Sequence, residues 1–259
     1  MGDIVVIHSY KGGTGKTNIS INLAAALASQ GNKVCLIDLD FRAPSLATFF
    51  SVVDQREWLN DYLNGTCKIE EVLRDMTDRI NGEGQLFVGL ADPSPEVIRE
   101  MSSKDRKWEM RALGRLLSLR NSLLKDKNFD YLILDTSPGL QYSSINAIVS
   151  ADLAVVASTF DRSDVNGTKR MLKELYDLFE KKTNVIVNKV LYDISSPPEK
   201  TNLLNKINDI YGVPVLGMVP CFCDVARAEG AYIFTQKRPE HPFSEIMNEM
   251  ARKIDQDSA

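Results

Sequence analysis

Cysteine is scarce in this chain. Its 259 residues hold four, Cys35, Cys67, Cys221 and Cys223, which do not resemble the paired framework of a small secreted domain. Histidine is scarcer, and His8 and His241 lie far in sequence from the Cys221-Phe-Cys223 pair. Two thiolates are half of a tetrahedral site, so a metal reading of that pair needs a second chain; buried free cysteines are the ordinary alternative. No apolar run approaches the ~18 residues of a membrane span, and no signal peptide is visible. A net charge of −4 gives no global pull toward nucleic acid or anionic lipid, so any such binding needs a local patch. Internal repeats, linkers and a second domain are also missing. What remains is a chain of ordinary soluble composition, 44% hydrophobic and 25% charged, expected in the cytoplasm. It predicts one domain over residues 1–254 and a short frayed tail at 255–259.

The stretch Lys11-Gly-Gly-Thr-Gly-Lys-Thr17 follows the apolar run Ile4–Ile7 and opens into a helical pattern from Ile19 to Leu27. A strand, a glycine-rich turn and a helix in that order form a phosphate-binding loop, with backbone N–H groups and a helix N-terminus aimed at the anion. Lys16 then sits where the loop lysine reaches the β- and γ-phosphates, and Thr17 where a hydroxyl reaches Mg²⁺. Gly12, Gly13 and Gly15 allow close backbone approach. A chance GKT in a glycine-rich turn is the competing reading, and the ordered context speaks against it.

Further apolar runs read as buried parallel strands: Lys33–Asp38, Gln85–Leu90, Phe129–Asp135, Ala151–Ser158, Thr183–Asn188 and Val213–Pro220. Helical patterns cover Trp58 to Leu63, Ile69 to Met76, Ser103 to Lys127, Asp164 to about Lys181 and Pro242 to about Ile254. Strand–helix alternation predicts a doubly wound α/β fold with a mostly parallel sheet flanked by helices. The carboxyl ends of such strands face the ligand crevice, which brings Asp38, Asp40 and Asp135 toward the phosphates. For Asp38-Leu-Asp40 a polar strand end with a helix cap is the alternative.

KGGTGKT resembles the deviant Walker A motif of the ParA/MinD family, partitioning and positioning ATPases with the P-loop NTPase fold. The resemblance covers nearly the whole chain as an order of motifs and is most specific at 11–17, 38–45 and 135–139. It implies ATP and Mg²⁺ as ligands, with Lys11, Gly12, Gly13, Thr14, Gly15, Lys16, Thr17 and Asn18 around the nucleotide. Lys11 would reach across a nucleotide-sandwich homodimer to the partner's phosphates; a solvated loop lysine is the other reading. Asp38-Leu-Asp40-Phe-Arg-Ala-Pro-Ser45 resembles the first switch region, with Asp40 on the attacking water and Asp38 near the metal's water shell. Asp135-Thr-Ser-Pro-Gly139 looks like Walker B and the second switch, with Asp135 on Mg²⁺ and the Gly139 amide following the γ-phosphate. Asn188 resembles the adenine-recognising asparagine, a strand-end turn being its alternative, and Pro220, Cys221 and Phe222 match the adenine pocket. No NKxD-type base clamp is present, since Asn188-Lys189 continues as Val-Leu.

The catalytic set implied is therefore Lys11, Lys16 and Asp40, with Thr17, Asp38 and Asp135 at the metal. The region Arg106–Lys127 is strongly basic and amphipathic: either a solvated helix packed on the sheet, or a patch for DNA or a protein partner. MinD-like members carry a basic amphipathic membrane helix at the end, and Asp-Gln-Asp-Ser-Ala does not resemble one. Three other readings compete. A metal-cluster or cargo chaperone of the same superfamily would use Cys221 and Cys223. A tyrosine-kinase relative would share Phe41-Arg-Ala-Pro-Ser45 but carry a tyrosine-rich tail. A nucleotide-gated binding module would show negligible turnover.

Overall fold

The computed structural model describes residues 2–52, 55–192 and 196–258. Eight strands among them form a single sheet: β1 (Asp3–His8), β2 (Lys33–Leu39), β3 (Arg74–Asp75), β4 (Gln85–Gly89), β5 (Tyr131–Thr136), β6 (Leu153–Ser158), β7 (Lys182–Val190) and β8 (Val215–Pro220). Their order across the sheet is β3-β4-β2-β5-β1-β6-β7-β8. Every neighbouring pair is parallel except β3 with β4.

Both faces of the sheet are buried, which is why its strands read as continuous apolar runs. In β1, Ile4 and Val6 point into one core and Val5 and Ile7 into the other. On one side α1 (Lys16–Ser29) packs against the sheet, together with the C-terminal helix. Four short side chains with no exposed surface, Ala24, Ala25, Ala26 and Ala28, let it lie close. The opposite face is covered by α2 (Leu59–Asn64), α4 (Arg106–Leu119), α5 (Tyr142–Ser150), α6 (Arg162–Met171) and α7 (Pro197–Tyr211), with α3 (Pro95–Ser102) leading into α4.

From β1 the chain moves to β2 on one side, and later returns to place β6 on the other side of β1. The strand order therefore reverses around β1, and the crevice at its carboxyl end is the expected ligand position of a doubly wound sheet. The expected fold class is present, and all seven expected strands are found.

The differences lie at element ends. Ile69 to Met76 is not one helix: Ile69–Val72 is helical, Leu73 turns extended, and Arg74–Asp75 pairs antiparallel with Val88 and Phe87. The open edge of β4 offers that short segment hydrogen bonds a helix would not supply. The helix expected from Asp164 starts earlier, capped by Asp161, whose carboxylate accepts from the N–H groups of Ser163 and Asp164. Both α4 and α6 end in π-helical turns, Arg120–Lys125 and Leu172–Tyr176. The last helix, α8 (Pro242–Ser258), runs through the segment expected to fray, and Tyr131 Oη donates to Asp255 Oδ1 at 2.8 Å.

Candidate active site

The loop after β1 turns through Gly13 and Gly15, at φ 78° and 88°, and enters α1 at Lys16. A Cβ at Gly15 would collide with the Asn188 amide, so glycine is required there twice over, by angle and by space. No side chain caps the start of α1 and no acidic residue occupies its first turn. Its first N–H groups are therefore left for an anion, with the helix dipole behind them.

A cleft of about 490 Å³ opens over this loop, lined by Ser9, the segment from Gly12 to Asn18, Asp40, Arg42, Ala43, Ser137, Pro138 and Gln141. Lys16 is buried beneath it, its Nζ 3.7 Å from Asp135 Oδ1. Thr17 Oγ1 donates to Asp135 Oδ2 at 2.7 Å, and Ser20 Oγ to Asp135 Oδ1 at 2.9 Å. Asp38 stands beside Asp135 in strand register and is equally buried. The N–H groups of Asp40 and Leu46 donate to the two Asp38 oxygens at 3.0 and 3.3 Å. Asp40 Oδ1 accepts from Ser137 Oγ at 2.7 Å, which ties the loop after β2 to the loop after β5.

Burial, and then the Asp135 charge, push the Asp38 carboxyl well above its ordinary range. Burial also raises Asp135, against the pull of Lys16 and the Thr17 and Ser20 hydroxyls. A carboxyl raised on folding is one that the unfolded chain ionises more readily. It costs stability once pH exceeds the unfolded value of 3.8, and the cost grows as pH climbs toward the folded value. Asp38→Asn is thus expected to raise the melting temperature at pH 7.5, without nucleotide or Mg²⁺, by about 2–4 °C, the shift that ~1 kcal/mol makes in a domain of this size. Differential scanning fluorimetry checks this, and an unchanged or lower value would contradict the assigned cost.

Lys11 lies apart from the phosphate cleft. Its half-exposed Nζ meets Asp161 Oδ1 and Ser163 Oγ, both at 3.1 Å, at the start of α6. The Ser163 hydroxyl and Lys11 together hold the Asp161 carboxyl below the usual carboxylate range. Asn188, at the end of β7, donates from Nδ2 to the Thr14 carbonyl at 2.8 Å and accepts the Lys189 N–H at Oδ1. Lys189, at φ 56°, donates to the Gly13 carbonyl at 2.7 Å. These two residues buttress the loop from below. Gly139 donates its N–H to the Ser9 carbonyl at 2.8 Å.

Pro220, Cys221 and Phe222 do not line the phosphate cleft. The Cys221 N–H donates to the Val190 carbonyl, and the Phe222 ring packs edge-on against His241 at 4.9 Å and Phe243 at 6.3 Å. Cys221 and Cys223 are both exposed, so the buried free-cysteine alternative does not describe them. No group of three or more His, Cys, Asp or Glu gathers as a metal site among the described residues.

Several site residues were not foreseen. Ser20 was signalled only as a hydroxyl one helical turn beyond Lys16, Ser137 as part of the Asp135–Gly139 segment. Asp161, Ser163 and His8 carried no distinguishing pattern. The basic region is smaller than its composition implies. Arg120 is paired with Asp152 at 2.6 Å, Lys104 with Glu100 at 2.5 Å, and Arg115 lies over the Tyr62 ring at 6.0 Å. Arg106, Lys107, Arg111, Lys125 and Lys127 remain exposed, with Met110 and Leu117 beside them.

Phosphate is what a glycine loop on an uncapped helix recognises, and a lysine flanked by hydroxyl and carboxylate oxygens suits a nucleoside triphosphate with its metal ion. Fold and cleft together define a P-loop nucleoside triphosphatase. The model of the family described as "AAA domain" matches residues 2–191. The septum site-determining protein MinD of Synechocystis sp. is 30% identical, over 85% of this chain and 76% of its own. The MinD protein of Thermotoga maritima is 26% identical, over 98% of this chain and 88% of its own. The structure of MinD from Pyrococcus horikoshii complexed with Mg-ADP superposes with a TM-score of 0.78 at 25% identity, covering 100% of this chain and 98% of that one. The chain belongs to the ParA/MinD family of P-loop ATPases, and its reaction is ATP hydrolysis. No helix among the described residues is long and apolar enough to cross a membrane.

Proposed function

We propose that this ATPase is a dimerisation switch: ATP closes two copies around a pair of nucleotides, and hydrolysis reopens them. The closed form would then engage a partner or surface that positions or partitions a cargo. The observation that carries this is Lys11. It is a half-exposed cation on the loop itself, held 3.1 Å from Asp161 and Ser163 rather than over its own cleft, and so available to a neighbouring copy. The names of the MinD relatives, septum site-determining proteins, support a positioning role.

The residues present fit a nucleotide. Thr14 Oγ1, in the loop, is buried without a hydrogen-bond partner, alone in this among the buried side-chain polar atoms of the described residues. Such an atom costs free energy until an acceptor or donor reaches it. Gly12, Gly13, Thr14, Gly15, Lys16, Thr17 and Asn18 would hold the phosphates. Thr17, Asp38 and Asp135 would hold Mg²⁺ through oxygen donors, which suit a hard cation, and the ion would supply positive charge against the phosphates. Asn188, Pro220, Cys221 and Phe222 would take the adenine, with base binding competing against the Asn188–Thr14 contact and the packing of Phe222 on His241.

In the reaction itself Lys16 binds and neutralises phosphate, Lys11 adds a cation from the partner copy, and Asp40 positions the attacking water. The hydrogen bond from Ser137, with Asp40 among the residues that line the cleft, supports this role. Hydrolysis needs little covalent help from the protein; position and charge do most of it. Asp40→Ala is expected to lower turnover by about 10²–10³-fold while leaving the ATP dissociation constant within about threefold. A phosphate-release assay beside a nucleotide titration tests both halves, and unchanged turnover would remove Asp40 from the mechanism.

The exposed basic residues of α4 support a partner-binding surface, for DNA or a protein. Duplex-DNA binding that appears only with ATP and falls steeply with salt would assign it to phosphate contacts.

A further inference from the structure

β1 ends in a histidine with no exposed surface. His8 Nε2 lies 2.8 Å from the Gly139 carbonyl oxygen, and Nδ1 lies 2.7 Å from the Tyr176 hydroxyl. A carbonyl oxygen only accepts, so Nε2 carries the ring proton and donates it. Nδ1 is then a bare acceptor, and the Tyr176 O–H donates to it. Both neighbours therefore select one neutral tautomer. Burial holds the imidazole neutral, with its pKa lowered to about 4, and the same burial keeps Tyr176 protonated.

Gly139 is gripped from both its peptide groups. Its carbonyl is fixed by His8, and its N–H donates to the carbonyl of Ser9, the next residue along. These groups belong to successive peptide planes hinged at the Gly139 Cα, where φ is 76°. With the carbonyl pinned, the Pro138–Gly139 peptide plane can still turn as a unit, through opposite changes in Pro138 ψ and Gly139 φ, and so swing the N–H away from Ser9 while the residues on either side keep their places. Tyr176 stands in the π-helical turn that continues α6, and the cap of α6 is Asp161, which holds Lys11. Such turns recur at functional sites.

We propose that His8 is a positioning residue for the γ-phosphate response: it anchors the Gly139 peptide and, through Tyr176, links that peptide to the helix that holds Lys11. The proposal rests on reading Gly139 as the group whose amide meets the γ-phosphate. Since Gly139 would meet only that phosphate, losing its anchor should harm binding of a triphosphate and spare binding of a diphosphate. A purely structural histidine would not discriminate between them.

The test is calorimetric titration of ATPγS and of ADP, with Mg²⁺, into the wild-type chain, His8→Ala, Tyr176→Phe and Gly139→Ala. For His8→Ala the expected result is at least tenfold weaker ATPγS binding with ADP within twofold. Tyr176→Phe removes one oxygen and keeps the ring, so it reports even if His8→Ala does not fold. It should lower the ATPγS-to-ADP preference about threefold and, in NMR, shift the His8 Nδ1 resonance, which loses its hydrogen-bond donor, while Nε2 stays protonated against the Gly139 carbonyl. Equal losses for both nucleotides, or no loss in either variant, overturn the proposal. If Gly139→Ala loses the preference while His8→Ala and Tyr176→Phe keep it, the relay alone fails. If Gly139→Ala also keeps it, the reading of Gly139 fails first.

Discussion

Lys16→Ala is expected to weaken ATP binding at least ~100-fold, a loss of roughly 2.7 kcal/mol at 1.36 kcal/mol per decade, and to bring turnover to background. Two consequences of one geometry combine here. The loop loses the cation proposed to meet the phosphates, and Asp135 loses its buried partner at 3.7 Å while Asp38 stays beside it in register. Removing one member of a buried ion pair typically costs about 3–5 kcal/mol, because the other charge is left in a low dielectric. The melting temperature without nucleotide should therefore fall, by contrast with the rise expected for Asp38→Asn. The two variants act on the same cluster with opposite signs: one removes its cation, the other one of its competing anions. A calorimetric titration and a melting curve on each check the pair. Near-normal ATP binding by Lys16→Ala would contradict the assignment of the cleft.

Lys11→Ala is expected to behave differently. ATP binding should stay within about threefold, because Lys11 contacts Asp161 and Ser163 and does not line the phosphate cleft of its own chain. Turnover should fall by about 10³-fold, the lower end of what a cation supplied in trans contributes to phosphoryl transfer. Asp161→Ala removes the carboxylate that holds the lysine in place. It should leave ATP binding intact and favour association of the two copies, since that contact no longer has to be given up. Phosphate release at several protein concentrations separates these cases: a trans contribution gives a specific rate that rises with concentration in the wild type and stays flat in Lys11→Ala.

Much of this was legible in the sequence where one residue type has one physical use. The glycine loop with Lys16 and Thr17 announced its structure because few other arrangements require those glycines beside a lysine and a hydroxyl. The apolar strands were legible because a parallel sheet buried on both faces leaves no alternation to confuse the pattern. Element ends were less so. The helical pattern reads as starting at Asp164, yet that carboxylate is buried and accepts from the Thr159 N–H at 2.7 Å, while Asp161 three residues earlier caps the helix. Both are aspartates near a helix start, and only the turn geometry tells them apart. Arg115 and Arg120 looked like free surface charge because a sequence does not show Tyr62 or Asp152 waiting across the fold. His8 gave no signal at all. Its partners lie 131 and 168 residues away, and a lone histidine at the end of an apolar strand carries no pattern of its own.

The central claim is a switch between one copy and two, set by the third phosphate. Sedimentation equilibrium of Asp40→Ala with Mg²⁺ and either ATP or ADP tests it most directly, since slow turnover holds the ATP state in place. The account predicts a dimer with ATP, a monomer with ADP, and a monomer with ATP when Lys11 is also replaced by alanine. The same mass with both nucleotides, whether one copy or two, would contradict it.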